Sequence, residues 1–206
     1  MRSESLQPGT SSLGRDEARL LARCRQGDVA AMETLVLRYQ DRLYNAILRI
    51  CGDPEDAAEL TQDTFVKVIE ALDRFRGKSS FYTWAFRIAI NLALNHCQRR
   101  RRIGQRSLDA DEDQGRSEAS ERLRDLLSDP GSADPAVVAQ DRELQVLARR
   151  ALLELDEQQR VMIVLRDIEG MSYAQIAEVL DIELGTVRSR LSRAREALRR
   201  VLESMI

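Results

Sequence analysis

Apolar residues return every three or four positions along most of this chain, and the places where that rhythm stops divide it. Residues 16–50 read as a helix, a turn at Gly27-Asp28, and a second helix with Met32, Leu35, Val36, Tyr39, Leu43 and Ile47 on one stripe. Gly52-Asp53-Pro54 breaks the pattern; Asp53 is placed to cap the next helix and Pro54 to take its first position. Leu60, Phe65, Val68, Ile69, Leu72 and Phe75 stripe that helix. A basic loop, residues 76–80, leads into a helix from Phe81 that is apolar around most of its circumference, as a helix central to its domain should be. It ends in four arginines, residues 99–102. From Ile103 to Asp134 the rhythm is lost. It resumes after Asp134-Pro135 with Val138, Leu144, Leu147, Ala151 and Leu155. Asp156-x-x-Gln159 and Ser172-x-x-Gln175 have capping-box spacing, a helix stops near Gly170, and Asp181-Ile182-Glu183 is a short turn before the last helix.

These elements predict an all-α protein. It has a flexible leader (1–15), a first small helical domain (16–102), a flexible acidic linker (103–134) and a second small helical domain (135–206). Composition agrees: Gly and Pro number only 10 and 4 in 206 residues. Charge sharpens the division. The chain carries a formal net charge of -2, yet residues 109–134 hold nine acids and three arginines, so the remainder is net basic by about four charges. As a coil the linker spans roughly 30 Å, and fully extended on the order of 100 Å.

The basic charge collects on the last helix. Gly185 to Arg200 contains six arginines and one glutamate. Ile176, Ala177 and Leu180 inside a short helix, a three-residue turn and this longer helix make a helix-turn-helix pattern. Val187, Leu191, Ala194, Leu198 and Val201 form the inner stripe of the long helix. That turns Ser189, Ser192, Arg193, Arg199 and Arg200 outward, with Arg188, Arg190 and Arg195 flanking. Such a helix reads base edges with its N-terminal turns while arginines hold phosphates, and the guanidinium fork serves both contacts. A solvated basic face would interleave signs; Arg188, Arg190 and Arg195 have no acid three or four residues away.

In the first domain, residues 81–86 (FYTWAF) hold four of the nine aromatics, flanked by Arg74, Arg76, Lys78 and Arg87. Aromatic faces beside cations suit single-stranded nucleic acid, where bases stack and phosphates pair. Phe81 and Trp84 share a side with Ile88 and Leu92 and also read as core.

Other chemistry is thin. Cys24, Cys51 and Cys97 are far apart in sequence with no C-x-x-C spacing, and His96 is the only histidine, so no metal or cofactor site is expected. The cysteines read as reduced thiols and His96 as solvated or capping. No apolar run approaches the ~18 residues of a membrane span, and the N-terminus has no signal core, which suits a cytoplasmic protein with no membrane insertion. The acids at 55–63 lie near a helix start without a second cluster, so an enzyme or a small-molecule substrate is not expected. A two-domain regulator with the same C-terminal motif is the competing reading; it would carry a sensor domain in place of the acidic helix and aromatic block.

Taken together, DAAELTQDTFVKVIEALDRF, FRGKSSFYTWAFRIAINLALNHCQRRRR and LRDIEGMSYAQIAEVLDIELGTVRSRLSRARE resemble the extracytoplasmic-function (ECF) sigma factors of bacterial RNA polymerase, over roughly 17–102 and 136–202. The resemblance implies a factor directing promoter-specific transcription initiation. Asp56, Glu59, Leu60, Gln62 and Phe65 would belong to the surface that meets core RNA polymerase, at the clamp helices of its β′ subunit. Arg76, Gly77, Lys78, Ser79 and Ser80 would capture a flipped −10 base, with Asn91, Arg99 and Arg100 steadying the DNA. Thr186, Arg188, Ser189, Arg190, Ser192 and Arg193 would face the −35 duplex. An anti-sigma factor, often membrane-bound in this family, would be a further partner beside promoter DNA. The chain departs from the family pattern at Ala57-Ala58-Glu59-Leu60, where A-E-D-L is usual, at Asp181 in place of a frequent glycine, at Glu183 in place of a common proline, and at the small Ser192.

Overall fold

The computed structural model describes residues 10–108 and 145–205. The described elements are α1 (Thr10–Arg25), α2 (Val29–Cys51), α3 (Pro54–Glu70), a 3-10 turn (Leu72–Arg74), α4 (Phe81–Leu108), α5 (145–153), α6 (Glu157–Ile163), a π turn (Val164–Ile168), α7 (Tyr173–Leu180) and α8 (Leu184–Met205). All are helical, as the apolar periods predict. The expected linker from 109 onward, the Asp134-Pro135 cap, Val138 and Leu144 lie outside the described residues.

Two boundaries move. The helix expected from residue 16 begins at Thr10, inside the expected leader. α4 runs past Arg102 to Leu108, because the arginines and Gln105 there are good helix formers although no apolar stripe accompanies them.

Local signals set the remaining ends. Asp53 Oδ1 accepts from the Glu55 and Asp56 backbone amides ahead of Pro54. Ser172 and Gln175 close a complete capping box on α7. Asp156 caps α6 through the Gln158 amide, without the reciprocal glutamine bond its spacing suggested. Gly52 ends α2 in the left-handed conformation, φ 81°.

The first domain packs α1–α4 around Leu35, Leu43, Ile47, Ile50, Phe81, Phe86 and Ile90, each fully buried. Arg25 reaches from α1 to the carbonyls of Leu72 and Phe75, at 3.3 and 2.7 Å, and ties the 3-10 turn down. In the second domain Met162, Leu165, Met171, Ile176, Val187 and Leu191 form the centre.

The two domains are not apart. α7 lies on α4, and α6 with the π turn lies on α2 and α4, so a single apolar cluster runs through both. Arg160, 8% exposed, is the main polar bond of this seam. Its guanidinium donates to the carbonyls of Leu152, Leu153 and Leu155, each at 2.9 Å, and across the seam to Ile50 O. Arg149 donates to Gly52 O at 3.0 Å. At the other end Tyr82 Oη donates to Glu169 Oε2 at 2.6 Å, and Arg42 donates to both, at 2.6 and 3.2 Å, with its guanidinium 4.1 Å above the Tyr82 ring. Gln175 Nε2 reaches Thr83 Oγ1 at 3.4 Å, and Arg87 lies 3.8 Å from Asp181.

Candidate nucleic-acid interface

The helix-turn-helix forms as its pattern predicts. α7 ends at Asp181, which takes the left-handed conformation at φ 54°; this is the one non-glycine positive φ among the described residues. Asp tolerates that geometry better than most side chains, so the frequent glycine is dispensable here. Val187, Leu191 and Ala194 bury the inner face of α8, while Leu198 and Val201 are partly buried farther along.

The outer face carries the expected residues. Arg188, Ser189, Ser192 and Arg193 are exposed, and Thr186 is half-buried. Arg190 is also half-buried and, with Arg193, Gln158, Gln159 and Met162, lines a shallow groove between α8 and α6. Ser189 Oγ bonds its own helix at Thr186 O. Among the described residues neither Arg188 nor Arg193 has an acidic partner. Arg195, unpaired on local spacing, donates through Nε to Asp167 Oδ2 at 3.1 Å. Sequence spacing within one helix could not show this partner, because it comes from the π turn. Arg199 sits between Glu196 and Glu203.

In the first domain Arg76, Gly77, Lys78 and Ser80 are exposed and Ser79 is half-buried. Gly77 has φ 68° with open space around it, which lets the loop turn sharply. Ser80 is already employed: its Oγ accepts from the Thr83 amide at 3.0 Å and starts α4.

The aromatic block is core rather than a stacking platform. Phe81 is buried, Trp84 packs between Phe75 and Phe81 at centroid distances of 5.1 and 5.7 Å, and Tyr82 packs on Phe86 at 4.4 Å. The Tyr82 phenol is pushed well above its usual range, by burial first and then by the hydrogen bond with Glu169, so it stays protonated.

Asn91 and Arg99 are exposed on α4. Arg100 instead bonds Asp56, and His96 Nε2 lies 3.1 Å from the same carboxylate. A predicted DNA contact and a predicted polymerase contact are therefore paired with each other. His96, expected to be solvated or capping, instead has its Nε2 buried, close to Asp56 but without an aligned hydrogen bond.

On α3, Glu59 and Gln62 are exposed, but Leu60 and Phe65 are 6% and 7% exposed and face the core. Their period places them inward, where they hold the helix in the core of the free chain. The apolar residues α3 does present are Val66, 55% exposed, and Ile69, whose expected place in the buried stripe is only partly kept.

No metal-ligating cluster occurs among the described residues, and none of their helices is long and apolar enough to cross a membrane.

A helix-turn-helix that exposes Arg188 and Arg193 without acidic partners among the described residues, packed on a helical domain with its own basic loop, is the arrangement of a DNA-binding protein. The sigma-70 region 2 family model matches residues 35–103, and the sigma-70 region 4 model matches residues 145–198. The RNA polymerase sigma-H factor of Pseudomonas aeruginosa is 37% identical over 193 residues, 92% of this chain and 95% of that protein. The ECF RNA polymerase sigma-E factor of Escherichia coli K12 is 36% identical over 188 residues, 91% and 94% of the two chains. Among solved structures, the sigma factor RpoE in complex with the anti-sigma factor NepR from Bartonella quintana matches with a TM-score of 0.62 at 25% identity, over 85% of this chain and 98% of that one. CnrH in complex with the cytosolic domain of CnrY gives the same TM-score at 26% identity, over 90% and 96%.

The chain belongs to the sigma-70 family, in its extracytoplasmic-function branch, and serves promoter-specific transcription initiation by RNA polymerase.

Proposed function

We propose that the first domain docks on the β′ clamp helices of core RNA polymerase through the exposed face of α3, with Glu59 and Gln62 as its polar contacts and Val66 and Ile69 as its apolar ones. The 76–80 loop then holds an extruded −10 base, Arg76 and Lys78 meeting phosphates while Asn91 and Arg99 steady the strand. α8 enters the −35 major groove with Arg188, Ser189, Ser192 and Arg193 toward the bases, and Thr186 and Arg190 at the margin. Extruding a base costs a few kcal/mol, so polymerase must supply part of the binding energy. Two modest sites on one chain then act through effective concentration.

The observation that carries this reading is the pair of arginines, Arg188 and Arg193, exposed on the second helix of the motif with no acidic partner among the described residues. It also asks the seam to open. Elements named −10 and −35 lie about 25 base pairs apart, roughly 85 Å of B-DNA. Residues 109–144 can reach about 120 Å at full extension, so the chain length permits the separation. An anti-sigma factor is the natural partner of the free form, since two structural relatives are seen bound to one or to a cytosolic partner domain. The site of action is the cytoplasm, and the factor reaches the membrane only through such a partner.

Reconstitution with core polymerase tests the reading. Run-off transcription from a promoter library should depend on this chain, and R188A with R193A should weaken use of the −35 element while leaving polymerase binding intact. Failure to co-purify with polymerase overturns it.

A further inference from the structure

The fold brings together two cysteines that are 46 positions apart in sequence. Cys51 is the last residue of α2, Cys97 lies in the middle of α4, and their sulfurs are 3.8 Å apart. Nothing in the promoter-reading mechanism uses them. Both are half-buried, so a small oxidant can reach them, whereas Cys24 is 3% exposed in the α1 packing. We propose that Cys51 and Cys97 form a peroxide-reactive thiol pair that closes to an intramolecular disulfide stapling α2 to α4.

The surroundings suit the chemistry. The Cys97 thiol is shifted down, first by its hydrogen bond with Cys51 and then by the Arg160 and Arg100 guanidiniums, against desolvation and Glu157. Cys51 is raised by the same pairing and by burial, so Cys97 is the more acidic thiol of the two and the one that reacts first once deprotonated. The Cys24 thiol, raised by burial first, is the unreactive comparison.

The steps balance. The Cys97 thiolate attacks one oxygen of hydrogen peroxide; the O–O bond breaks, leaving a sulfenic acid and hydroxide. The Cys51 sulfur then attacks the Cys97 sulfur. The S–O bond breaks, its oxygen leaves as water with the Cys51 proton, and an S–S bond forms. Overall the two thiols lose two electrons and two protons, and peroxide is reduced to two waters. Closure shortens the sulfur separation from 3.8 Å to about 2.05 Å.

The test uses the full chain, purified reduced, exposed to hydrogen peroxide without denaturant, alkylated and digested without reductant. Mass spectrometry should find a Cys51–Cys97 peptide pair lighter by two hydrogens than the sum of its parts, abolished by dithiothreitol, with Cys24 alkylated. In C51S, dimedone should trap a sulfenic acid on Cys97; in C97S, Cys51 should label at least tenfold more slowly. Absence of the linked pair in the wild-type chain, a linkage through Cys24, or linkage only between molecules overturns the proposal. The wild-type mapping decides it even if a variant fails to fold, and it is independent of promoter binding.

Discussion

Arg160 shows how much one side chain can determine. Buried with no carboxylate partner among the described residues, its guanidinium donates to four backbone carbonyls: three from the α5–α6 turn of its own domain and one, Ile50 O, from the other. Bonds from a charged donor are worth about 1.5–3 kcal/mol each, and truncation leaves the acceptors unmet. Arg160→Ala should therefore destabilise the chain by about 3 kcal/mol or more, read from urea denaturation. Tyr82→Phe is gentler. It removes one hydroxyl bond to Glu169 and leaves the ring packed on Phe86, so a loss of about 1 kcal/mol is expected in the same assay. Neither role was legible beforehand. In the sequence Arg160 is one arginine among many on a helix, and Tyr82 one of four neighbouring aromatics, because the acceptor each reaches in the other domain, Ile50 O and Glu169, lies more than eighty positions away.

Elements were the most legible level, because caps and periods are local. Asp53, Ser172 and the α8 stripe all do what their spacing implies. Asp53→Ala should cost about 1 kcal/mol, measured as a fall in Tm. Gly52→Ala should cost at least as much, since φ 81° strains any side chain, whereas the Leu153 methyl 2.7 Å from the added Cβ can rotate away. Surface roles were less legible. Leu60 and Phe65 matched a family motif, yet their period sends them inward. Arg100 looked like part of a basic end until α3 supplied Asp56. Arg195 looked unpaired until the π turn supplied Asp167. In each case the deciding partner came from another helix, and pattern reading along one helix carries no information about it.

At the scale of the whole molecule, the closed packing of the two domains is the feature no linear pattern revealed. Its polar bonds are few, and one end rests on Arg42, Tyr82 and Glu169. Arg42→Ala with Glu169→Ala should loosen that end, seen as a larger radius of gyration in small-angle scattering, with each domain's helix content unchanged. Arg188→Ala should lower affinity for a −35 duplex by about 1–3 kcal/mol if it reads a base, and reduce the salt slope by about one if it holds a phosphate. The Arg160 guanidinium joins the two scales. Because it braces the α5–α6 turn and grips Ile50 at once, prising the domains apart takes away one of its four acceptors and lets water compete for the three within the turn. Amide protons of residues 152–156 should then exchange with deuterium faster in the polymerase-bound chain than in the free one, making this turn an internal gauge of whether the molecule is at rest or at work.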